Sequence, residues 1–132
     1  MLRILIGDDN TGLTETYREV LAMLLELEFG LFPEEWEITE VNTYDDCMDV
    51  IGRRWDLALI DGNFHSWDKS GDDGVQITNG LANFHYPTYI VGISADQYQT
   101  QDFWEINGAF LKKPVGYSEI KAALMPLFTM AS

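Results

Sequence analysis

Short apolar runs alternate along the chain with segments whose apolar residues recur every three or four positions. The apolar runs predict five β-strands, at about 2–7, 36–41, 57–60, 89–93 and 109–111. The other segments have helical spacing and predict five helices, which begin at Asn10 or Thr11, cover 44–53, 75–84 and about 97–106, and run from Ser118 to Leu127. Strands that alternate with helices are typical of a parallel sheet covered by helices. The pattern therefore predicts one α/β domain over residues 1–132.

Capping residues predict the ends of the first and last helices. Asn10 or Thr11 can accept a hydrogen bond from a free backbone amide at the start of the first helix, and Ser118 can do so for the last helix. Gly30 and Pro33 are the residues that we expect to end the first helix.

Polar side chains directly follow four of the five predicted strands. Asp8-Asp9 follow the first strand, Asp61 the third, Ser94 the fourth and Lys112-Lys113-Pro114 the fifth. In a parallel sheet these positions gather along the carboxyl edge, where open α/β sheets place their sites. Three neighbouring carboxylates repel one another unless a divalent cation neutralises them. The pattern therefore points to metal-assisted phosphoryl chemistry.

The composition limits the classes of partner. The 132 residues include 8 Lys plus Arg against 22 Asp plus Glu, for a formal charge of −14. Direct binding to nucleic acid or to anionic membranes is disfavoured, because both need clustered positive charge, whereas a basic protein partner fits. No apolar run approaches the roughly 18 residues of a membrane span, and the N-terminus lacks a signal-peptide pattern. With a single cysteine, Cys47, no internal disulfide is possible, and we expect a cytoplasmic protein.

The order and spacing of the polar residues resemble the receiver domain of bacterial two-component response regulators, over nearly the whole chain. Asp8-Asp9 match the family's acidic pair after the first strand, and Asp61 matches its phospho-accepting aspartate. Ser94 matches the family's Ser/Thr after the fourth strand, and Lys113-Pro114 match its Lys-Pro pair, which has a cis peptide. Phe110 stands where the family has a Tyr/Phe switch residue. The resemblance implies a flavodoxin-like, doubly wound, five-stranded parallel sheet of order 2-1-3-4-5 with five helices.

The resemblance also implies a magnesium site and a covalent phosphoryl acceptor. Asp61 would take a phosphoryl group from a phospho-histidine, because a carboxylate can act as a nucleophile toward phosphorus. Asp9 would ligate Mg²⁺ directly, and Asp8 directly or through water. Asp61 and the backbone carbonyl of Asn63 would supply further oxygen ligands.

Three further residues take roles from the same resemblance. Lys113 would pair with Asp61 before transfer and with the phosphoryl group after it. Ser94 would hydrogen-bond a phosphoryl oxygen, and its movement would draw Phe110 inward. The implied partners are a sensor histidine kinase or a histidine phosphotransfer protein, and a downstream protein that contacts the surface of the fourth helix, fifth strand and fifth helix. The chain would catalyse only its own phosphorylation and dephosphorylation, as a stand-alone receiver or an excised piece of a larger protein.

The segment after Asp61 departs from the family pattern. Relatives have a proline shortly after the phospho-accepting aspartate and a glycine about eight residues after it, but here Gly74 is the matching glycine and no proline occurs. The loop 62–73 is therefore enlarged by about five residues. Trp67 and Lys69 either contact a partner or fold over the site, and the sequence favours neither alternative.

Two smaller features concern the acidic loop and the lifetime of the phosphate. Gly7 precedes the acidic pair where relatives more often have an apolar residue, and we expect it to loosen the loop that carries Asp8 and Asp9. Asn63 and Asp96 occupy positions that, in the family, tune hydrolysis of the phosphoryl group. Both are polar and can orient water, so we expect a short-lived phosphate.

Alternative readings remain at this point. A phosphorylation-independent interaction module with the same fold is the main alternative to a phosphorylatable receiver. A haloacid-dehalogenase-type phosphatase is disfavoured, because Asn10 stands where that family needs a second aspartate two residues after Asp8. Two roles are open for the aromatic residues Phe103, Trp104 and Tyr117. They would form a contact patch for the downstream partner, or they would pack the fourth helix onto the sheet.

Overall fold

The computed structural model describes residues 1–61, 80–81, 88–94 and 108–129. Its sheet has five parallel strands in the order β2-β1-β3-β4-β5, as predicted. The strands are β1 (Leu2–Gly7), β2 (Trp36–Val41), β3 (Leu57–Asp61), β4 (Tyr89–Ser94) and β5 (Gly108–Lys112). Each predicted strand is confirmed to within one residue at either end, because apolar runs bounded by polar residues mark buried parallel strands clearly.

Three of the five predicted helices lie among the described residues. They are α1 (Thr11–Leu27), α2 (Tyr44–Val50) and the C-terminal helix (Tyr117–Thr129), and a short 3₁₀ turn covers Pro33–Glu35. Gly80 and Leu81 are helical, within the helix predicted at 75–84. The rest of that helix and the helix predicted near 97–106 lie outside the described residues.

The N-terminus and C-terminus of α1 form as the sequence predicts. The side chain of Asn10 accepts a hydrogen bond from the backbone N–H of Leu13 at 3.2 Å, so Asn10 is the cap. After the helix, the N–H of Leu31 donates to the carbonyl of Leu25 at 2.8 Å, and Gly30 between them has φ +69°. Glycine adopts this left-handed conformation without steric cost, which is why it ends the helix here.

Two predicted helix boundaries, the start of the last helix and the end of α2, are wrong, and the last helix also continues past its predicted end at Leu127 to Thr129. The last helix begins at Tyr117, so Ser118 lies inside it. Instead, the Gly116 carbonyl accepts from the Ile120 N–H at 3.1 Å, and the Glu119 carboxylate accepts from the Gly116 N–H at 3.3 Å. The Glu119 side chain thus reaches back to the backbone N–H that precedes the helix, as the glutamate of a capping box does, and the hydrogen bond expected from the serine is not the one that forms this end.

The second wrong boundary is the end of α2. This helix was predicted to reach residue 53 but ends at Val50. The indole N–H of Trp55 donates to the Val50 carbonyl at 2.8 Å, and the Arg53 N–H donates to the same carbonyl at 3.1 Å. Both contacts turn the chain away from the helix axis before the last turn can form.

Helices cover both faces of the sheet. One apolar cluster joins strand residues to α1 and the C-terminal helix; it includes Ile4, Ile6, Leu59, Val91, Leu21, Leu24, Ile120 and Leu124. The other joins the alternate strand residues to α2 and includes Leu5, Ala58, Ile60, Ile90, Cys47, Ile51, Trp55 and Leu81. This alternation follows from the period of two in a strand. Burial raises the pKa of the Cys47 thiol to about 12, which fits a packing role.

Helices that could cross a bilayer are absent from the described part of the chain, because none is both long and apolar enough.

The arrangement of the sheet is what matters for function: all five strands are parallel, so their carboxyl ends lie along one edge. The residues that follow β1 and β5, and the last residue of β3, therefore meet there.

Candidate functional site

Three carboxylates lie together at the carboxyl edge of the sheet. Asp8 and Asp9 directly follow β1, and Asp61 is the last residue of the neighbouring strand β3. Each of the three offers a carboxylate oxygen, and these oxygens lie within 4.8 Å of one another. The side chains of Asp8 and Asp61 are only 1% and 5% exposed. The positions of these three acidic residues at strand ends predicted that they would lie together, and the structure confirms it.

Lys113 supplies positive charge to this cluster from the loop after β5. Its Nζ atom lies 3.3 Å from Asp61 Oδ1 and 3.4 Å from Asp8 Oδ2, and its side chain is 24% exposed. The peptide bond between Lys113 and Pro114 is cis, as the family resemblance implied. Among the ion pairs of the described residues, one ammonium group faces these three carboxylates, so the four side chains together carry a net negative charge.

The donor set fits a divalent cation such as Mg²⁺. Carboxylate oxygens are the protein ligands that Mg²⁺ prefers, and it usually binds through one or two of them together with water and a phosphate. A cation between Asp8, Asp9 and Asp61 would remove the repulsion that burial of like charges otherwise causes. These three residues are the ones that could hold the metal.

Hydrogen bonds hold Asp8 on several sides. Its N–H donates to the Val41 carbonyl at 3.2 Å, and its Oδ1 atom accepts from the Asn10 N–H at 2.9 Å. Its carbonyl accepts from Asn42 Nδ2 at 2.8 Å, and the same amide lies 3.1 Å from Thr14 Oγ1. Sequence reasoning missed Asn42. Its position directly after β2, the strand that neighbours β1, is the sequence feature that could have identified it.

Gly7 is the final residue of β1 and pairs in register with Val41 of β2 and Ile60 of β3. The glycine therefore lies within the sheet, and the loop begins only after it. The looser loop that we expected from Gly7 stays a prediction.

The two residues predicted to form a switch lie on adjacent strands. Ser94 is the last residue of β4 and is buried, and its carbonyl accepts from the Lys113 N–H at 2.9 Å. Phe110 of β5 is paired in register with Gly92 of β4 and is half-buried. The Ser94 backbone is thus tied to the residue whose ammonium contacts Asp61.

Several predicted functional residues lie outside the described residues. This applies to the loop 62–73 and, among the residues named above, to Asn63, Trp67, Lys69, Asp96, Phe103 and Trp104. Tyr117 is described, and its hydroxyl donates to Glu28 Oε1 at 3.0 Å. The Tyr117 side chain therefore contacts the end of α1.

A cleft of about 370 Å³ adjoins the acidic cluster; it is lined by Leu13, Tyr17, Lys113, Pro114 and Val115. Tyr17 is a buried residue of α1. Burial and then the negative charges of Asp8 and Asp61 raise the pKa of Tyr17 to about 12. Its hydroxyl therefore keeps its proton further into the alkaline range than an exposed tyrosine does.

The sequence matches no family model and no curated protein, but solved structures match nearly all of it. A CheY-like response regulator receiver domain from Methylobacillus flagellatus has 20% identity and a TM-score of 0.71, over 100% of this chain and 99% of that chain. The response regulator TrrA from Thermotoga maritima, solved in complex with Mg²⁺ and BeF, has 18% identity and a TM-score of 0.71, over 96% and 99%.

The receiver domain of a sensor histidine kinase from Pseudomonas aeruginosa is similar as well. It was solved with a magnesium ion in its active site cleft, and it has 18% identity and a TM-score of 0.72, over 97% of this chain and 98% of that chain. The fold of this chain is therefore that of response regulator receiver domains. This finding confirms the receiver fold and its sheet order of 2-1-3-4-5, whereas two of the five predicted helices lie wholly or mostly outside the described residues.

Proposed function

We propose that the chain is the receiver of a two-component phosphorelay and that Asp61 accepts a phosphoryl group. The observation that carries the proposal is the position of Lys113, whose Nζ atom contacts both Asp8 and Asp61 within a cluster of three carboxylates. An acidic group with one lysine at the carboxyl edge of a receiver fold suits the capture of a phosphoryl group together with a metal ion.

The metal would be held by Asp8, Asp9 and Asp61, with the backbone carbonyl of Asn63 as a further ligand. When bound, Mg²⁺ would supply positive charge that offsets the repulsion between the carboxylates and the phosphoryl oxygens. The burial of Asp8 and Asp61 excludes most water, and electrostatic attraction is stronger in such an environment.

In the transfer step, an oxygen of the Asp61 carboxylate attacks the phosphorus of a phospho-histidine. A bond forms between this oxygen and phosphorus while the phosphorus–nitrogen bond breaks, and the imidazole leaves with the electron pair of that bond. Lys113 loses its ion pair with Asp61 as the carboxylate becomes an acyl phosphate, and its ammonium then pairs with the phosphoryl oxygens. The donor would be a sensor histidine kinase or a histidine phosphotransfer protein.

The phosphoryl group would be read through Ser94 and Phe110. Ser94 would donate its hydroxyl to a phosphoryl oxygen, and Phe110 on the adjacent strand would move inward. The changed surface, formed by the fourth helix of the receiver fold, β5 and the C-terminal helix, would bind a downstream protein in one of its two states. The chain would have no catalytic activity other than its own phosphorylation and dephosphorylation.

The test is phosphorylation of the purified chain by acetyl phosphate with Mg²⁺, followed by mass spectrometry of the intact protein. We expect the addition of one phosphoryl group to the wild type, none to Asp61→Asn, and normal addition to Asp45→Asn. Asp45 is a matched control because it is an exposed aspartate in the first turn of α2 and is not one of the three clustered carboxylates. Absence of any addition to the wild type would reject the proposal and favour a phosphorylation-independent interaction module.

The same experiment, followed over time, measures the lifetime of the phosphate. Asn63 and Asp96 would orient water near the acyl phosphate, so we expect rapid loss of the phosphoryl group after excess acetyl phosphate is removed. A half-life of many hours would contradict this role of the two residues without contradicting phosphorylation itself.

A further inference from the structure

The segment after β2 contacts the segment after β1 through one side chain. Asn42 directly follows β2, the edge strand that pairs with β1. Its Nδ2 amide donates to the Asp8 carbonyl at 2.8 Å and to Thr14 Oγ1 at 3.1 Å. One amide group therefore joins the start of the acidic loop to the first turn of α1.

The hydrogen bond to Thr14 has a defined direction. Thr14 Oγ1 donates its proton to the Thr11 carbonyl at 3.0 Å, so toward Asn42 it can only accept. Asn42 therefore contributes two donors to two fixed acceptors. Thr14 is almost fully buried, so loss of the amide would leave its oxygen without this donor in a place that water reaches poorly.

The bond to the Asp8 carbonyl affects both acidic residues of the loop. This carbonyl belongs to the planar peptide unit that ends at the Cα atom of Asp9. Fixing the oxygen therefore fixes the orientation of the unit from which the Asp9 side chain projects. On its other side, the Asp8 carboxylate accepts from the Asn10 N–H and from Lys113 Nζ.

We propose that Asn42 is a positioning residue for the acidic cluster. Its amide holds the Asp8–Asp9 peptide so that both carboxylates face Asp61. The inference rests on the proposed function, because its consequence is the affinity for a divalent cation. Residues that orient metal ligands from behind typically change metal affinity by roughly 10-fold to 100-fold when they are replaced. We expect an effect of that size at Asn42, although this residue touches neither metal nor phosphate.

A general role in stability is the competing explanation, and the neighbouring residue provides the control. Thr43 caps α2, because its Oγ1 atom accepts from the Asp46 N–H at 3.1 Å. Thr43→Ala removes a hydrogen bond from the same segment but leaves the Asn42–Asp8 bond intact. If Asn42 only stabilises the fold, Asn42→Ala and Thr43→Ala will behave alike.

The experiment measures the Mg²⁺ dissociation constant by titration calorimetry and the urea midpoint of the metal-free protein. For Asn42→Ala we expect Mg²⁺ affinity to fall by about 10-fold or more, whereas Thr43→Ala lowers the urea midpoint and leaves Mg²⁺ affinity unchanged. Asn42→Asp has nearly the same shape and adds negative charge, which by itself would strengthen Mg²⁺ binding. We expect weaker binding, because its oxygens would face the Asp8 carbonyl instead of donating to it.

The outcomes separate the inference from the proposed function. Wild-type Mg²⁺ affinity in Asn42→Ala and Asn42→Asp would overturn the positioning role and leave the proposed function standing. A wild-type chain that does not bind Mg²⁺ would overturn the proposed function and the inference together. Should Asn42→Ala fail to fold, Asn42→Ser keeps a polar group that is too short to reach both acceptors, and the same titration decides.

Discussion

Two lysines in the C-terminal part of the chain, Lys113 and Lys121, contact carboxylates, and the two groups differ in burial and in charge. Lys113 contacts Asp8 and Asp61, whose side chains are almost fully buried. Lys121 contacts Glu28 at 2.9 Å, and the two side chains are 39% and 33% exposed. In the exposed group, one lysine faces one carboxylate, which also accepts from the Tyr117 hydroxyl. In the described part of the chain, the other group has three carboxylates, two of them buried, and one lysine.

The difference teaches how charge imbalance marks a functional site. The exposed contact is balanced, and it links the end of α1 to the C-terminal helix beside the stacked rings of Phe29 and Phe128. The Lys121 hydrogen bond lowers the pKa of Glu28, as expected for a carboxylate beside an ammonium. The buried cluster keeps an excess of negative charge that costs stability unless another cation enters. Such an excess at the edge of a sheet favours the binding of a cation, because packing alone gains nothing from it.

The largest expected effect comes from removal of the buried ammonium. Lys113→Met keeps most of the side-chain volume but leaves two buried carboxylates without their ion pair. We expect the free energy of unfolding to fall by about 3 kcal/mol in metal-free buffer at neutral pH, the low end for breaking a buried pair. Urea denaturation measures it, with Lys121→Met as the matched control. Equal effects of the two substitutions would remove the distinction between the contacts.

The second largest expected effect is the gain in the free energy of unfolding when Mg²⁺ binds. Because a cation that binds only the folded state stabilises it by mass action, Mg²⁺ at about 100 times its dissociation constant should add roughly 2.7 kcal/mol. We expect this gain in the wild type, its reversal by a chelator, and a much smaller gain in Asp9→Asn. Thermal or urea denaturation with and without Mg²⁺ measures it. A gain of the same size in Asp9→Asn would place the cation elsewhere.

The dependence of stability on alkaline pH tests whether Tyr17 lies in buried surroundings beside the acidic cluster. Its pKa is raised from 10.0 to about 12 in the folded protein, so the folded state retains the proton when the unfolded state loses it. This contribution to stability is complete below pH 10 and is lost as pH rises toward 12. We expect Tyr17→Phe to reduce the pH dependence of the urea midpoint in that window. Unchanged dependence would mean that Tyr17 ionises as in the unfolded chain.

The smallest effect is expected at the exposed contact. Exposed ion pairs contribute little to stability, because water screens them and ordering of the side chains costs entropy. Glu28→Gln should therefore leave the urea midpoint at neutral pH and the Mg²⁺ affinity unchanged. The same denaturation and titration experiments test it, and a loss of Mg²⁺ affinity would show that the contact between α1 and the C-terminal helix is coupled to the acidic cluster.

Much of the fold and of the candidate site was predictable from local patterns. Apolar runs marked the strands, and the polar residues at their ends marked Asp8, Asp61 and Lys113. The helix boundaries at Ser118 and near residue 53 were not predictable, because Glu119 and Trp55 make the deciding hydrogen bonds. Propensity at one position cannot reveal which of several neighbouring side chains reaches a free backbone group.

By itself, the sequence determined the order of strands and helices along the chain and the residue types at the strand ends, because burial dictates apolar periodicity. Only the tertiary structure decided which distant residues touch. The Lys113–Asp8 contact joins residues 105 positions apart, and the Asn42–Asp8 contact joins residues 34 apart. Such contacts exist only once parallel pairing places β2 and β3 beside β1 and adds β4 and β5 next to β3. The role of Asn42 therefore depends on the sheet, whereas the acidic character of the site was already present in the chain.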